Sequence, residues 1–412
     1  MKKTLAAVAV LGAFAGSALA ADVQLYGIVD TGVGYNHVDM DSLDGATLTN
    51  DNDGKVAYSF ADSDSFSMMS GQASGSRWGL KGTEDLGNGL TVGFILEDGF
   101  TSDNGADSAP MFNRESSLFV QGGFGKFAMG RMGSLNNGQS SWAKVGMVSA
   151  FGTSDWGGYS AQLSNIFSLA GQWDNMVAYE TPSFAGFKVY AQYAMGSNDN
   201  ENESSSDRYY AIGATYNNGP FAGYFAVDSI NYQTSGAKID DKYIDDSLTV
   251  TLGGSWNFEV AKVYFGAQYF DEVKLSSIGG ITKTTVSDVN LSKIGDLPDI
   301  TVGALVKVKG YGISLTADAP VAGGKAMFGV GYVDAEAADS IQDALKDANA
   351  DADLDLKRYV VSVGYDYPFS KRTDVYAIAS YMQDQVDTKL SGTSYDWDPS
   401  AYTLYVGLRH RF

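Results

Sequence analysis

The last twelve residues, A-Y-T-L-Y-V-G-L-R-H-R-F at 401–412, decide the fold of this chain. Their side chains alternate between two faces. One face carries Tyr402, Leu404, Val406, Leu408, His410 and Phe412, and the other carries Ala401, Thr403, Tyr405, Gly407, Arg409 and Arg411. A period of two is that of a β-strand, whose successive side chains point to opposite sides. The C-terminus therefore predicts a strand with one mainly apolar face and one mainly polar face.

The same alternation recurs upstream, at 248–258 and at 358–367. A sandwich of antiparallel sheets alternates in this way too, so the pattern alone does not choose between a sandwich and a barrel. The lengths of the connections discriminate between them. Long polar links are predicted at 37–65, 100–111, 134–171, 197–206, 231–246, 273–298, 334–356 and 384–400, and short turns at 84–88, 122–125, 182–184, 217–220, 258–260, 319–324 and 368–373.

Eight long links that alternate with seven short turns predict sixteen antiparallel strands, with both chain ends on the short-turn side. Membrane barrels of bacterial outer membranes have this asymmetry, with short periplasmic turns and longer outer loops. A barrel of sixteen strands encloses water, whereas one of about eight strands is filled by side chains. We therefore expect an all-β, 16-stranded antiparallel transmembrane β-barrel whose polar inner face lines a channel.

The N-terminus predicts export from the cytoplasm. Lys2 and Lys3 precede an apolar stretch at 5–15, and A-L-A at 18–20 is a small-residue cleavage site. This is the pattern of a cleaved signal peptide over residues 1–20, followed by a single barrel domain over 21–412. No later apolar run approaches eighteen residues, so an exported chain of this kind is either soluble or a closed barrel.

Composition excludes several classes of function. The chain has no Cys, two His and a formal net charge of −21, which repels nucleic-acid phosphates. The acidic stretch N-D-N-D-G at 50–54 lacks the ligand spacing of a calcium loop, so no metal site and no cofactor is predicted. An outer-membrane hydrolase would need His37 or His410, and a β-rich surface adhesin would not need alternating link lengths. We therefore expect a channel and not an enzyme. The hydrolase and the adhesin stay as alternatives.

Five stretches resemble a known family, the general Gram-negative porins of the trimeric type found in Neisseria and β-proteobacteria. They are V-Q-L-Y-G-I-V-D-T-G at 23–32, S-R-W-G-L-K-G-T-E-D-L-G-N-G-L at 76–90, F-N-R at 112–114, G-K-F-A-M-G-R at 125–131 and V-G-L-R-H-R-F at 406–412. The resemblance implies a homotrimer in the outer membrane that passes small hydrophilic solutes by diffusion. It also implies that the third long link, 134–171 here, folds into the lumen as a constriction loop, and that Phe412 is the signal read by the barrel-assembly machinery.

The candidate pore-lining residues come from strand parity and from the resemblance. Trp78 and Leu80 take the lipid side, which places Arg77 and Lys81 in the lumen. Parity also turns Lys188, Glu97 and Asp30 inward, and Arg114 resembles a second wall arginine of the family. Between 134 and 171 Asp155 is the only acid and Lys144 the only base. Charged groups around a narrow pore set which ions pass.

The long links are strongly acidic, as in the spacing of Asp339, Asp343, Asp347 and Asp351, which suits one face of a short helix. An acidic mouth concentrates cations within about 8 Å at physiological salt, so we expect a weak cation preference. Bridging of such loops to lipopolysaccharide by divalent ions stays as an open alternative. On the outside, Arg131 shares parity with Met129, and a lipid-facing arginine is costly. We therefore expect Arg131 at the trimer interface, together with Glu115 and Ser117.

Overall fold

Antiparallel strands make up most of the structure, a computed structural model that describes residues 23–41, 47–48, 58–59, 62–108, 110–196, 207–232, 245–278, 281, 307–347, 352–390 and 393–412. The predicted signal peptide lies outside these ranges. None of the helices within them is both long enough and apolar enough to cross a membrane.

Over the described residues the wall has sixteen strands, two of which are interrupted. They are β1 Gln24–Asp39, β2a Ser63–Ser70 with β2b Arg77–Gly87, β3 Leu90–Gly99, β4 Glu115–Gly122, β5 Gly125–Gly133, β6 Gln172–Glu180, β7 Phe187–Ala194, β8 Arg208–Asn218, β9 Phe221–Asn231, β10 Leu248–Asn257, β11 Lys262–Lys274, β12 Lys307–Val321, β13 Gly324–Ala337, β14 Ala352–Pro368, β15 Thr373–Leu390, and β16a Thr393–Trp397 with β16b Ser400–Arg411.

Each strand pairs antiparallel with the next along the chain, and the last strand returns to the first. In β1, residues from Ile28 to Asp39 pair with residues from Arg411 to Ser400 of β16b. On its other edge β1 pairs with β2a and β2b, so the sheet closes on itself. The predicted closed, sixteen-stranded antiparallel barrel is therefore confirmed.

Exposure follows the predicted period of two. In β16b the exposed fractions of Leu404 and Val406 are 53% and 51%, whereas Thr403 and Tyr405 are buried. Aromatic rings form pairs near both ends of the outer face. Tyr193 and Tyr210 lie 5.1 Å apart at the long-link end, and Phe187 lies 4.3 Å from Tyr216 at the short-turn end. Outward apolar side chains between two aromatic belts suit a hydrocarbon layer between two headgroup layers.

The structure differs from the expectation at two places and agrees with it at a third. Most of the predicted link at 384–400 is strand, because β15 extends to Leu390 and β16a follows it at once. The second strand, which carries Arg77 and Lys81, is interrupted by residues 71–76, which separate β2a from β2b. In the link at 334–356, the helix Asp339–Asp347 includes three of the four spaced aspartates, Asp339, Asp343 and Asp347, and Asp351 lies outside the described residues.

The third long link contacts the inner wall on several sides. Its backbone N–H groups donate to inward-facing side chains: Leu135 to Gln192 of β7 at 2.9 Å, Ala150 to Thr316 of β12 at 2.8 Å and Ala161 to Ser362 of β14 at 2.8 Å. Apolar side chains of the same link, including those of Val148 and Ile166, are fully buried. Residues 134–171 are thus held by hydrogen bonds and packing rather than left as an open loop.

Candidate functional site

A polar cavity of about 420 Å³ lies between the strands β1 to β4 and the third long link. Five of the seven candidate pore residues line it: Arg77, Lys81, Glu97, Arg114 and Asp155. Glu115, Tyr26 and hydroxyl side chains of the link, among them Ser140, Ser141, Thr153 and Ser154, complete the lining. The cavity therefore gathers charges of both signs at one level of the barrel.

The two wall arginines share one carboxylate. Arg114, directly before β4, donates from Nε to Glu97 Oε1 at 2.7 Å. The Nε of Arg77 lies 3.5 Å from Glu97 Oε2, and Tyr26 donates its hydroxyl to the same oxygen at 3.0 Å. Arg77 also donates to the carbonyl of Gly75, in the break between β2a and β2b, at 2.9 Å. This network fixes both guanidinium groups and offsets part of their charge.

Lys81 is the cation of this cavity that is most accessible to a passing solute. Its side chain is exposed, and among the described residues it forms no ion pair. The Lys81 ammonium lies 5.0 Å from the centroid of the Tyr26 ring, a cation–π contact that leaves its charge intact. Arg77 and Lys81 lie four positions apart in β2b, so the alternation of the strand turns both cations to the same side.

Glu115 and Ser117 were expected on the outer face beside Arg131, and that prediction is wrong. The carboxylate of Glu115 is buried and accepts hydrogen bonds from Ser117, from the Ser140 hydroxyl and from the Ser141 backbone at 2.7 Å. Arg131 pairs in register with Ser116, and paired residues share a face. Glu115 therefore belongs to the cavity wall, where it holds the third long link.

Asp155 brings a carboxylate to the cavity from the third long link. Its neighbours are tied to the break in the second strand, because Trp156 N–H donates to the Gln72 carbonyl and Gly157 N–H to the Gln72 side chain, each at 2.8 Å. The Trp156 ring meets Tyr376 edge to face, with centroids 5.4 Å apart. The break at 71–76 thus serves as a support for the part of the link that carries Asp155.

Two other candidate pore residues lie elsewhere. Asp30 faces inward, as parity predicts, but it is buried and accepts hydrogen bonds from Tyr376 and from the backbone of Ala73 and Ser74, so it does not line the cavity. Lys188 forms an ion pair with Glu180 and lines a second cavity, at the short-turn end.

Arg131 lies on the outer face and is paired within the chain. Its Nη1 donates to Asp174 Oδ1 at 2.5 Å and its Nε to the Asn113 carbonyl at 2.8 Å. The two histidines lie away from the cavity: His410 contacts Thr373, and His37 contacts Asp64 and stacks on Tyr402. No group of acidic and histidine side chains among the described residues is arranged to hold a metal ion.

Sequence reasoning missed the residues that anchor the third link to the far wall. Arg358 donates to both carboxylate oxygens of Asp384 and, at 3.1 Å, to the carbonyl of Asn165. Asp228 accepts from Asn136 at 2.7 Å and from Tyr209 at 3.2 Å. Arg358 and Asp228 both occupy inward positions of their strands, so the alternation of the sequence could have shown that they face the lumen. It could not have shown which residues of the third link they contact.

Comparison with known proteins places this arrangement in a family. A family model described as Gram-negative porin matches residues 6–387. An outer membrane porin of Bordetella pertussis is 33% identical over the full length of both chains, and outer membrane porin protein 32 of Delftia acidovorans is 28% identical over the full length of both. The solved structure of an anion-selective porin from Comamonas acidovorans superposes with a TM-score of 0.62 at 24% identity, covering 95% of this chain and all of that one. These relatives are porins, which are channels and not enzymes, and the chain therefore belongs to the Gram-negative porin family of the bacterial outer membrane.

Proposed function

We propose that this protein forms a water-filled channel through which small hydrophilic solutes and ions diffuse passively. The observation that carries the proposal is the charged cavity between the wall and the third long link. There Arg77, Lys81 and Arg114 share one space with the carboxylates of Glu97, Glu115 and Asp155. Polar groups around a narrow passage favour hydrated and dipolar solutes over apolar ones.

The third long link would act as the constriction of this channel. Three features support this role: its hydrogen bonds to β7, β12 and β14, its buried apolar side chains and the position of Asp155 opposite the wall arginines. A segment anchored on several sides narrows a pore without closing and opening freely.

We further propose a weak cation preference. Three cations and three carboxylates line the cavity, so their net contribution is close to zero and the rest of the chain decides the sign. The described ends of the long links carry exposed acids such as Asp39, Asp62 and Asp343. Their field raises the local cation concentration at the mouth. The structurally similar Comamonas porin is anion-selective, so the opposite preference is the alternative that a measurement must exclude.

For assembly we propose a homotrimer embedded in outer-membrane lipid and lipopolysaccharide, with the outer face around Arg131 at the subunit contact. Phe412, whose outward side chain is 45% exposed, would be read by the barrel-assembly machinery. Its backbone is paired with Gly27 of β1 at 3.1 Å, so the same residue also completes barrel closure.

Reconstitution tests the channel directly. Purified trimer added to a planar bilayer is expected to give stepwise, ohmic conductance increments, and liposomes that contain it should swell in small sugars and stop swelling above a size limit. Reversal potentials across a salt gradient give the sign of selectivity. A folded trimer that inserts but carries no current in either assay would refute the channel.

A further inference from the structure

A second cavity, of about 310 Å³, opens at the short-turn end of the barrel. It is bordered by three successive short turns, those between β2b and β3, β4 and β5, and β6 and β7. Lys126, Glu180 and Lys188 line it together with the polar side chains of Thr91, Gln121 and Thr181. None of the first cavity's residues lines this one, so the two cavities are separate sites along the barrel.

Two lysines line this cavity, Lys126 of β5 and Lys188 of β7, and both act electrostatically on a third, Lys144 of the third long link. Lys126 of β5 lies 4.3 Å from the ring centroid of Phe119 and 5.1 Å from that of Trp142. Lys144 does not itself line the cavity. Its ammonium lies 5.4 Å from the ring centroid of Tyr190, which follows Lys188 by two positions in β7, and donates to the Ser141 carbonyl at 2.8 Å. Aromatic faces hold ammonium groups in place without neutralising their charge.

The carboxylates nearby are already engaged. Glu180 forms its ion pair with Lys188, and Glu115 is occupied by the hydrogen bonds from Ser140 and Ser141. Within the part of the chain that the structure describes, neither Lys126 nor Lys144 forms an ion pair.

The surroundings of Lys144 work against its charge. Burial lowers the pKa of Lys144 to about 8, and repulsion by Lys126 and Lys188 acts in the same direction, against attraction by Glu180 and Glu115. A partly buried positive charge without a counter-ion is costly, and an anion that enters such a site regains that free energy.

We propose that Lys126, Lys144 and Lys188 form an anion subsite at the short-turn end of the channel, which takes a sulfate, phosphate or carboxylate group of a small solute. Lys126 and Lys144 supply the uncompensated charge. Lys188 supplies a third ammonium, and Gln121 and the two threonines offer neutral donors. The subsite rests on the proposed channel function, since a solute reaches it by diffusion through the barrel.

Chemical labelling tests the subsite without any current. Purified trimer in detergent is acetylated at pH 7.5 with limiting reagent, with and without potassium sulfate at constant ionic strength, and each lysine is quantified by mass spectrometry. Sulfate is expected to slow the labelling of Lys126 and Lys144. Lys262 is the internal control, because it also faces inward at the short-turn end and lies 4.7 Å from a tyrosine ring, that of Tyr264, but pairs in register with Asp318 of β12. Equal slowing at Lys262, or none anywhere, overturns the proposal.

Single-channel recording supplies the second readout. Sulfate is expected to reduce the chloride current in a saturable way. The double variant K126Q/K144Q should raise the half-blocking sulfate concentration at least tenfold, because a tenfold change corresponds to about 1.4 kcal/mol and the variant removes two charged hydrogen-bond donors. The matched control K262Q should leave that concentration unchanged. If the half-blocking sulfate concentration is unchanged in the double variant, the anion subsite is refuted and the channel function is not. If the wild-type protein carries no current at all, the channel function itself is refuted.

Discussion

Arg358 and Asp384 form a bidentate ion pair with both side chains fully buried, and their Nε–Oδ1 distance is 2.7 Å. The two residues face each other directly across β14 and β15. The Nη1 of Arg358 also donates to the carbonyls of Asn165 and Ile278, at 3.1 and 3.4 Å. One guanidinium thus joins the wall to the third long link and to the link between β11 and β12.

Replacing Arg358 with Met should therefore separate stability from conductance. The single variant leaves the Asp384 carboxylate buried without a partner, which costs about 3–5 kcal/mol. The double variant R358M/D384N should recover most of that loss, because no buried charge remains. Both variants lose the bond to Asn165, so both should show noisier or altered single-channel conductance.

Urea unfolding followed by tryptophan fluorescence measures the first effect, and bilayer recording the second. A double variant with wild-type conductance would mean that Arg358 does not position the third link.

Gly312 of β12 marks a close approach of the third link to the wall. A Cβ at this position would lie 2.0 Å from the carbonyl oxygen of Ile166, so G312A must push the link away from the strand. We expect a loss of about 1–3 kcal/mol, as for other overpacked sites, and a changed conductance. The control is G146A in the same link, where a Cβ would meet nothing within 4 Å. Equal behaviour of the two variants would contradict this account of the contact.

The fold could be predicted from sequence because lipid imposes its own pattern on every strand. Outward residues such as Leu404 and Leu408 must be apolar whatever they pair with, so the period of two survives without knowledge of the partners. Where strands extend beyond the membrane, outward residues no longer need to be apolar, and the alternation is lost. The extension of β15 to Leu390 was therefore missed, and with it the position of Asp384 in a strand.

The site was only partly predictable, for the same reason. Arg77 and Lys81 lie in a strand with clear alternation, and their inward direction follows from it. The strand that begins at Glu115 has serines on both faces at its start, so its alternation is weak and the prediction for Glu115 and Ser117 took the wrong side. Its register becomes clear only further on, from the outward pair of Leu118 and Met129, which are 53% and 50% exposed.

The lowered pKa of Lys144 gives the anion subsite a distinct pH dependence. A lysine with a pKa of about 8 is roughly nine-tenths charged at pH 7 and one-tenth charged at pH 9. Sulfate keeps its charge over this range, so its block of the current should weaken as pH rises from 7 to 9. The variant K144Q should lack this dependence, and K262Q should keep it. Measurements at constant ionic strength check this, and a block by sulfate that is equally strong at pH 9 would contradict it.

Two conservative changes in the first cavity should move ion selectivity in opposite directions. D155N leaves three cations against two carboxylates and should shift the reversal potential toward anions. K81Q leaves two cations against three carboxylates and should shift it toward cations. Both side chains are exposed, so neither change is expected to alter folding. Reversal potentials in a tenfold KCl gradient provide the comparison, and shifts of the same sign would show that this cavity is not the selective part of the pore.

The ion pair of Arg131 with Asp174 tests the proposed trimer contact. On a lipid-facing surface an unpaired arginine costs roughly 2–4 kcal/mol near the midplane, so D174N should destabilise the folded monomer and R131Q should not. At a subunit contact both changes should also lower the temperature at which the trimer band disappears from a mild-detergent gel. Arg208, which begins β8 on a different part of the wall, offers R208Q as the control. A trimer band of unchanged stability in R131Q, with D174N affecting only monomer unfolding, would place the pair on lipid rather than between subunits.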